Sequence, residues 1–274
     1  MNQKVKNIWS IIGICLLVAV IFYVPQGVFA VMATFFLGIY YGMQGMKSDE
    51  IVNNMPDGIL GTLGYVLILS SIAAVAIFVI LKYINLKEAF KPNKTQWKLA
   101  PALIVASIAG ILVADIFSEM LNFEDMLGEQ MQGMAKSIAG MIAIGLIGPI
   151  AEEITFRGVL MNKLREKGLG PWATILISAF VFGAVHGNPI QIPFAMIVGV
   201  ILGIIYYKTE SLILCCVLHV LNNSYAVLTM NLYGDSGKDL TWADVFGGDL
   251  NTYMTLGLCL ILSVSFFNWY WKKA

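Results

Sequence analysis

Charge is what this chain has least of. Only 12% of its 274 residues are Asp, Glu, Lys or Arg, about half of the roughly 25% found in soluble domains. The 17 basic and 17 acidic residues cancel, so there is no basic field for nucleic acid. Nor is there the high net charge that keeps a chain disordered. Histidine is rarer still, with two in the whole sequence. No His-Glu-x-x-His pair and no glycine-rich strand-to-helix phosphate loop occurs. The four cysteines, Cys15, Cys215, Cys216 and Cys259, all lie inside apolar runs. Cys215 and Cys216 are adjacent, which is not metal-site spacing, and the set reads as small hydrophobes rather than a disulfide scaffold. There is also no internal repeat, heptad or low-complexity tract, and the missing repeat weighs against the common transporter architectures.

What fills the chain instead is hydrocarbon. Hydrophobic residues make up 58% and the mean hydropathy is +0.79, more apolar surface than a water-soluble globule can use. A membrane-crossing helix needs about 20 mostly apolar residues. Suitable runs fall at 8–41, 59–81, 99–117, 138–150 and onward, 172–185, 190–207, 212–230 and 253–271. The fold expected is therefore all-α, one polytopic membrane domain over residues 1–274 with about eight transmembrane helices around a buried polar chamber. Pro25 and Gly27 interrupt the first run, which is long enough for one tilted, kinked helix or two short ones. Lys4, Lys6 and the Val28-Phe29-Ala30 stretch imitate a cleavable signal peptide. The apolar run resumes at once after Ala30, and an uncleaved anchor is favoured.

The sparse charges fix an expected orientation. With the first run as one crossing and the N-terminus in the cytoplasm, all basic residues except Lys47, Lys136 and Lys238 fall on the cytoplasmic side. That is a strong positive-inside bias. Acids such as Asp49, Glu124, Asp125, Asp235 and Asp239 collect opposite. Both termini are expected inside, with the cell membrane as location. Trp9, Trp97, Trp172, Trp269 and Trp271 sit at run ends, where indole rings prefer the interface. Glu119–Lys136 mixes acids with methionines and reads either as a short amphipathic helix on the outer surface or as a polar loop.

The few polar residues within the runs carry the information. Glu152 and Glu153 continue the fourth run, of which only thirteen residues (138–150) precede Ala151, too few for it to have crossed at ~1.5 Å per residue. An acid at the centre of a spanning helix costs about 2.5–3.5 kcal/mol on insertion scales. Glu153 and Arg157, four apart, share a helix face and can pair; Glu152, rotated about 100°, points elsewhere. A snorkelling pair beside the basic loop of Lys163, Arg165 and Lys167 is the alternative. Both histidines also lie in apolar surroundings: His186 just before Gly187-Asn188-Pro189, and His219 one turn before Asn223. Two glutamates, two histidines, an arginine and an asparagine on three spans look like one buried site. A glutamate and a histidine converging on a water can orient it and take its proton. Asparagine and imidazole N–H groups can stabilise an oxyanion. The same donors suit zinc.

At these residues the sequence resembles a family. Glu152-Glu153-x-x-x-Arg157, Phe182-x-x-x-His186 and His219-x-x-x-Asn223 have the order and spacing of the three motifs of the CAAX prenyl endopeptidases and bacteriocin-processing enzymes, a group of intramembrane glutamate proteases. The match covers residues 152–223, within a catalytic core drawn at 138–230. The resemblance implies that Glu152 and His186 hold and activate the attacking water. It implies that His219 and Asn223 form the oxyanion hole, with Glu153 and Arg157 orienting the residues that touch the water and the substrate. Asn222 is nearly cofacial with His219, and the motif selects Asn223. The glutamate–water mechanism needs no metal or other cofactor: once His219 serves the oxyanion and Glu153 serves Arg157, two donors remain, one short of a usual zinc site.

The function expected is that of an intramembrane endopeptidase cutting near the C-terminus of a lipid-modified or hydrophobic peptide. Its partners are then a peptide or prenylated-protein substrate and the bilayer, with no nucleic acid. A non-catalytic immunity or scaffold protein that binds a peptide is the first alternative, and a transporter using the glutamates and histidines as a proton relay is the second. One geometric tension stands. His186 is fourteen residues from Trp172, about 21 Å of helix, whereas His219 is seven residues from Leu212, about 10 Å. The histidines meet only if the fifth span is tilted, sunken or starts in the cytosol.

Overall fold

A computed structural model describes residues 3–91, 100–233 and 241–273. The expectations placed on Lys94, Trp97, Lys98, Leu99, Asp235, Lys238 and Asp239 lie outside these residues. Every regular element among the described residues is helical: α1 (Gln3–Met43), α2 (Ser48–Ile80), α3 (Leu86–Ala89), α4 (Ala100–Met120), α5 (Gly128–Ala135), α6 (Ile138–Glu166), α7 (Pro171–Ala184), α8 (Gln191–Thr209), α9 (Leu212–Tyr233), α10 (Trp242–Phe246) and α11 (Asp249–Lys273). Among the described residues, seven helices are long and apolar enough to cross a membrane: α1, α2, α4, α6, α8, α9 and α11. The chain is thus an integral multi-pass membrane protein.

The eight expected runs all form helices, but the fifth is not a full span. α7 has 14 residues, about 21 Å, against a hydrocarbon core of about 30 Å. Pro171 starts it at a position where its missing N–H costs nothing, and the Gly187-Asn188-Pro189 break ends it early. The first run is one helix, continuous through Pro25. Proline removes one rung of the ladder, and membrane helices tolerate this because neighbours re-satisfy the freed group. Reversal into α2 uses Gly45 at φ +79°, and the Glu50 carboxylate accepts the Lys47 backbone N–H at 2.8 Å. Within Glu119–Lys136, α4 ends at Met120 and a separate short helix covers Gly128–Ala135. It buries Gln132, Met134 and Ala135, so it packs into the bundle instead of lying on its surface.

α6 is the central element. Phe156, Val159, Leu160, Met161 and Leu164 along it are wholly buried, packed on one side against α1, α2 and α7 and on the other against α8 and α9. Lipid is as apolar as these side chains, so close packing and polar contacts hold the helices together in place of the hydrophobic effect. Small residues make the close approaches. A Cβ on Gly64 would come within 2.5 Å of the Gly140 backbone, and one on Gly199 within 3.0 Å of Ala179. Gly203, four residues after Gly199, seats Ile175 in the same way, which is the small-xxx-small device joining α8 to α7.

Two stretches of α6, Ala143–Ile147 and Ile154–Met161, are π-helical. The first follows from Pro149, which has no N–H to offer the Gly145 carbonyl and widens the preceding turn. Carbonyls exposed inside a membrane need new donors, and α9 supplies them. Asn223 Nδ2 donates to the Ile144 carbonyl and Ser224 Oγ to the Gly145 carbonyl, each at 3.2 Å. In the second stretch the Phe156 carbonyl accepts from Ser178 Oγ of α7, also at 3.2 Å.

The two ends of the bundle differ in charge. At one end Arg165 pairs with Glu210 at 2.9 Å, Lys208 Nζ donates to the Trp271 carbonyl at 2.6 Å, and Trp172 stacks on Trp271 at 4.8 Å. At the other, Asn188 is bonded to Asp125. In a cysteine-free background, single cysteines at Glu166 and Glu124 should therefore react with membrane-impermeant maleimide from opposite faces. Labelling of both from the same face would contradict this arrangement.

Candidate active site

The site is built around one buried ion pair. Glu153 is 0% and Arg157 1% exposed, and Arg157 Nη1 lies 3.0 Å from Glu153 Oε1. The i,i+4 spacing survives the π-helical turn between them. The pair is more Coulombic than directional, since Nη1 and Nε of Arg157 make no aligned hydrogen bond among the described residues. The guanidinium has two further supports. Nη2 donates to the Gly199 carbonyl at 3.4 Å, and the Phe182 ring lies beneath it, with 4.6 Å from Cζ to the ring centroid. A cation over an aromatic face gains about 2 kcal/mol or more where both are desolvated.

The same Glu153 Oε1 receives a second partner from α9. His219 Nδ1 lies 2.8 Å from it. A carboxylate held by arginine only accepts, so Nδ1 carries the proton and donates. That turns Nε2 of His219 toward Glu152, whose Oε2 is 3.5 Å away. This Oε2 is buried and makes no hydrogen bond among the described residues. The two neighbouring glutamates thus have unequal surroundings: Glu153 is engaged twice through one oxygen, and Glu152 presents an oxygen at ion-pair distance from His219 alone. From α1, the phenol of Tyr23 lies within electrostatic reach of Glu152.

His186 joins through Phe182. Its ring meets Phe182 edge-on with centroids 4.9 Å apart, and His219 meets the same ring edge-on at 5.7 Å. His186 Nδ1 lies 2.7 Å from the Phe182 carbonyl. A carbonyl cannot donate, so Nδ1 carries a proton and donates to it. Both histidines reach one phenylalanine despite their unequal distances from the helix starts.

Of the residues singled out from sequence, the structure brings Glu152, Glu153, Arg157 and His219 into direct contact and adds His186 by way of Phe182. Asn223 lies one turn beyond His219, where its amide donates to the Ile144 carbonyl and its Oδ1 accepts from Asn222 Nδ2 at 3.0 Å. Glu153 contacts both Arg157 and His219, and the Phe182 ring packs against Arg157, His186 and His219. A groove of about 490 Å³ lies elsewhere, between α4, α8 and α11, with Val113, Ile197, Ile201 and Phe267 on its walls. Among the described residues, no three His, Cys, Asp or Glu side chains group as metal ligands. Ser224 is legible from sequence by pairing a hydroxyl with the carbonyls of a proline-widened turn, whereas nothing local marks Ser178 for the Phe156 carbonyl. Phe182, which stands in the second motif, also packs against the guanidinium and both imidazoles.

Removing either member of a buried pair leaves the other charge unpaired, at a cost of about 3–5 kcal/mol. Arg157→Ala and Glu153→Gln should therefore both lower the folded yield and the melting temperature in detergent. Retention of wild-type melting in both variants would show the pair to be dispensable for folding.

Residues 134–225 match the family model described as type II CAAX prenyl endopeptidase Rce1-like. The membrane-embedded CAAX protease MroQ of Staphylococcus aureus (strain USA300) is 30% identical over 103 residues. That alignment takes in 36% of this chain and 42% of MroQ, so the chain spans less than half the length of this curated relative. No solved structure matches. The segment that holds all three motifs and the buried Glu153–Arg157–His219 contacts is the segment the Rce1-like family model matches, and the resemblance carried by those motifs stands.

Proposed function

We propose that this chain is an intramembrane endopeptidase that hydrolyses a peptide bond near the C-terminus of a hydrophobic or lipid-modified peptide. The observation that carries the reading is the split between the glutamates. Glu153 is consumed by Arg157 and His219, while Glu152 keeps a buried oxygen with no hydrogen bond among the described residues. A carboxylate left unengaged beside an imidazole is the arrangement a general base needs. The resemblance to a CAAX protease over this segment supports the same reading.

In the mechanism, Glu152 and the Nε2 lone pair of His186 hold a water between them. Glu152 takes one proton, the water oxygen bonds to the scissile carbonyl carbon, and the carbonyl π electrons move onto oxygen. His219 has one nitrogen committed to Glu153, so only Nε2 can face the oxyanion, and it donates there when the ring carries both protons. Asn223 spends one amide N–H on Ile144 and has a second for the oxyanion. Collapse of the tetrahedral intermediate breaks the C–N bond, and the proton on Glu152 goes to the leaving amine. Glu153 and Arg157 touch no reacting atom; they hold His219 in place. No step calls for a cofactor.

Purified protein incubated with a farnesylated CAAX peptide and with a hydrophobic peptide library, with product masses measured, tests the reading and identifies the substrate class. Loss of a general base costs about 10²–10⁴ in rate. Glu152→Gln and His186→Ala should each lose at least the lower figure while melting like the wild type, and wild-type turnover in either would reject its role. Exhaustively chelated enzyme, verified by elemental analysis, should keep its activity. Activity that disappears with the metal and returns with one equivalent of zinc would make this a metalloprotease.

A further inference from the structure

His186 stands outside regular structure. α7 ends at Ala184, Val185 caps it, and Gly187 follows at φ +65°. The hydrogen bond to the Phe182 carbonyl fixes the rotation of the His186 ring, but the position of the ring depends on what holds the loop between α7 and α8. Asn188 holds it. Its side chain is completely buried and bonded through both ends of its amide. Nδ2 donates to Asp125 Oδ1 at 2.8 Å, and Oδ1 accepts the Met126 backbone N–H at 3.1 Å. The Asn188 carbonyl in turn accepts from the Gln191 and Ile192 N–H groups at 2.9 and 3.1 Å, opening α8. Asp125 is braced as well, because the same Oδ1 accepts the Leu127 N–H at 3.2 Å.

This is a costly way to fill space. An apolar side chain would occupy a buried loop position without needing partners. A buried amide demands donors and acceptors, and once all are satisfied it specifies one arrangement. A carboxylate as partner strengthens the bond beyond that of neutral groups. The result ties the residue two positions from His186 to the connection between α4 and α5, over sixty residues away in sequence.

We propose that Asn188 is a positioning residue for His186: together with Asp125 it clamps the α7–α8 loop to the α4–α5 connection and so sets where His186 meets the attacking water. The inference rests on the reading of His186 as a water-holding group, and it goes beyond the three motifs, none of which contains Asn188 or Asp125.

The test is an exchanged pair. Asn188→Asp sets a carboxylate against Asp125, and Asp125→Ala removes the partner. Asp125→Asn combined with Asn188→Asp rebuilds one amide–carboxylate bond in reverse order, with the acceptors for Met126 and Leu127 intact. Kinetics are read on the peptide the wild type cleaves, and hydrogen exchange over residues 185–192 is read on the same samples. Displacement of a catalytic group by about 1 Å can cost roughly a hundredfold. Each single variant should lose between about tenfold and a hundredfold in kcat with KM unchanged, the double variant should recover most of it, and exchange should rise and fall in parallel within this segment only. Faster exchange with unchanged kcat overturns the positioning role. So does loss in the single variants, through general unfolding or otherwise, that the double variant does not restore. Exchange that stays at the wild-type level in Asp125→Ala overturns the clamp itself, a result that needs no activity. A wild-type protein that cleaves no peptide removes the peptidase reading and the role of His186 with it, and is recognised by that alone.

Discussion

The Glu153–Arg157 pair is the constraint that the rest of the molecule accommodates. A lone ion at this depth is too expensive to keep, and an ion pair breaks even only when further contacts satisfy it. Those contacts dictate local sequence on three other helices. His219 must come from α9 to share Glu153 Oε1. Phe182 must lie under the guanidinium from α7. Position 199 of α8 must offer a bare backbone, because a Cβ there would sit 3.2 Å from Phe182 Cδ1, and its carbonyl accepts from Arg157 Nη2. The three helices that carry the motifs, α6, α7 and α9, and the neighbouring α8 are thereby held in register by one buried charge and its partners.

The irregularity of α6 serves the same end. A regular helix through Pro149 would clash with the carbonyl four residues back. The π-helical turn relieves the clash but leaves backbone carbonyls without their helical donors. Asn223 and Ser224 supply two of these donors, so α9 is bound to α6 by backbone contacts on one turn and by His219 to Glu153 on the turn before. Asn223 is thus part of the scaffold that fixes the glutamates as well as a candidate for the oxyanion. A single asparagine has enough N–H groups for both duties.

Much of this was legible in the sequence, for identifiable reasons. Helix number and placement follow from apolar runs, since a chain this poor in charge has few other options in a bilayer. The Glu153–Arg157 pairing follows from spacing, because four residues remain cofacial whether the turn is α-helical or π-helical. The length of α7 was less clear: Trp172–Val185 reads as a span, and only its bracketing by Pro171 and Gly187-Asn188-Pro189 shows how little helix can form. The sharing of one Glu153 oxygen between Arg157 and His219 was not legible, nor was the bond from Asn188 to Asp125. Both join residues more than sixty positions apart, and no local periodicity encodes such contacts.

In the proposed mechanism Glu152 acts on a water and is never itself bonded to the substrate. A single turnover in ¹⁸O-labelled water, with enzyme in excess over peptide, tests this directly. Attack by activated water predicts one solvent oxygen in the newly formed carboxyl terminus from the first turnover onward. A first-turnover product that carries only unlabelled oxygen would mean that the oxygen came from an enzyme carboxylate, and would contradict the account.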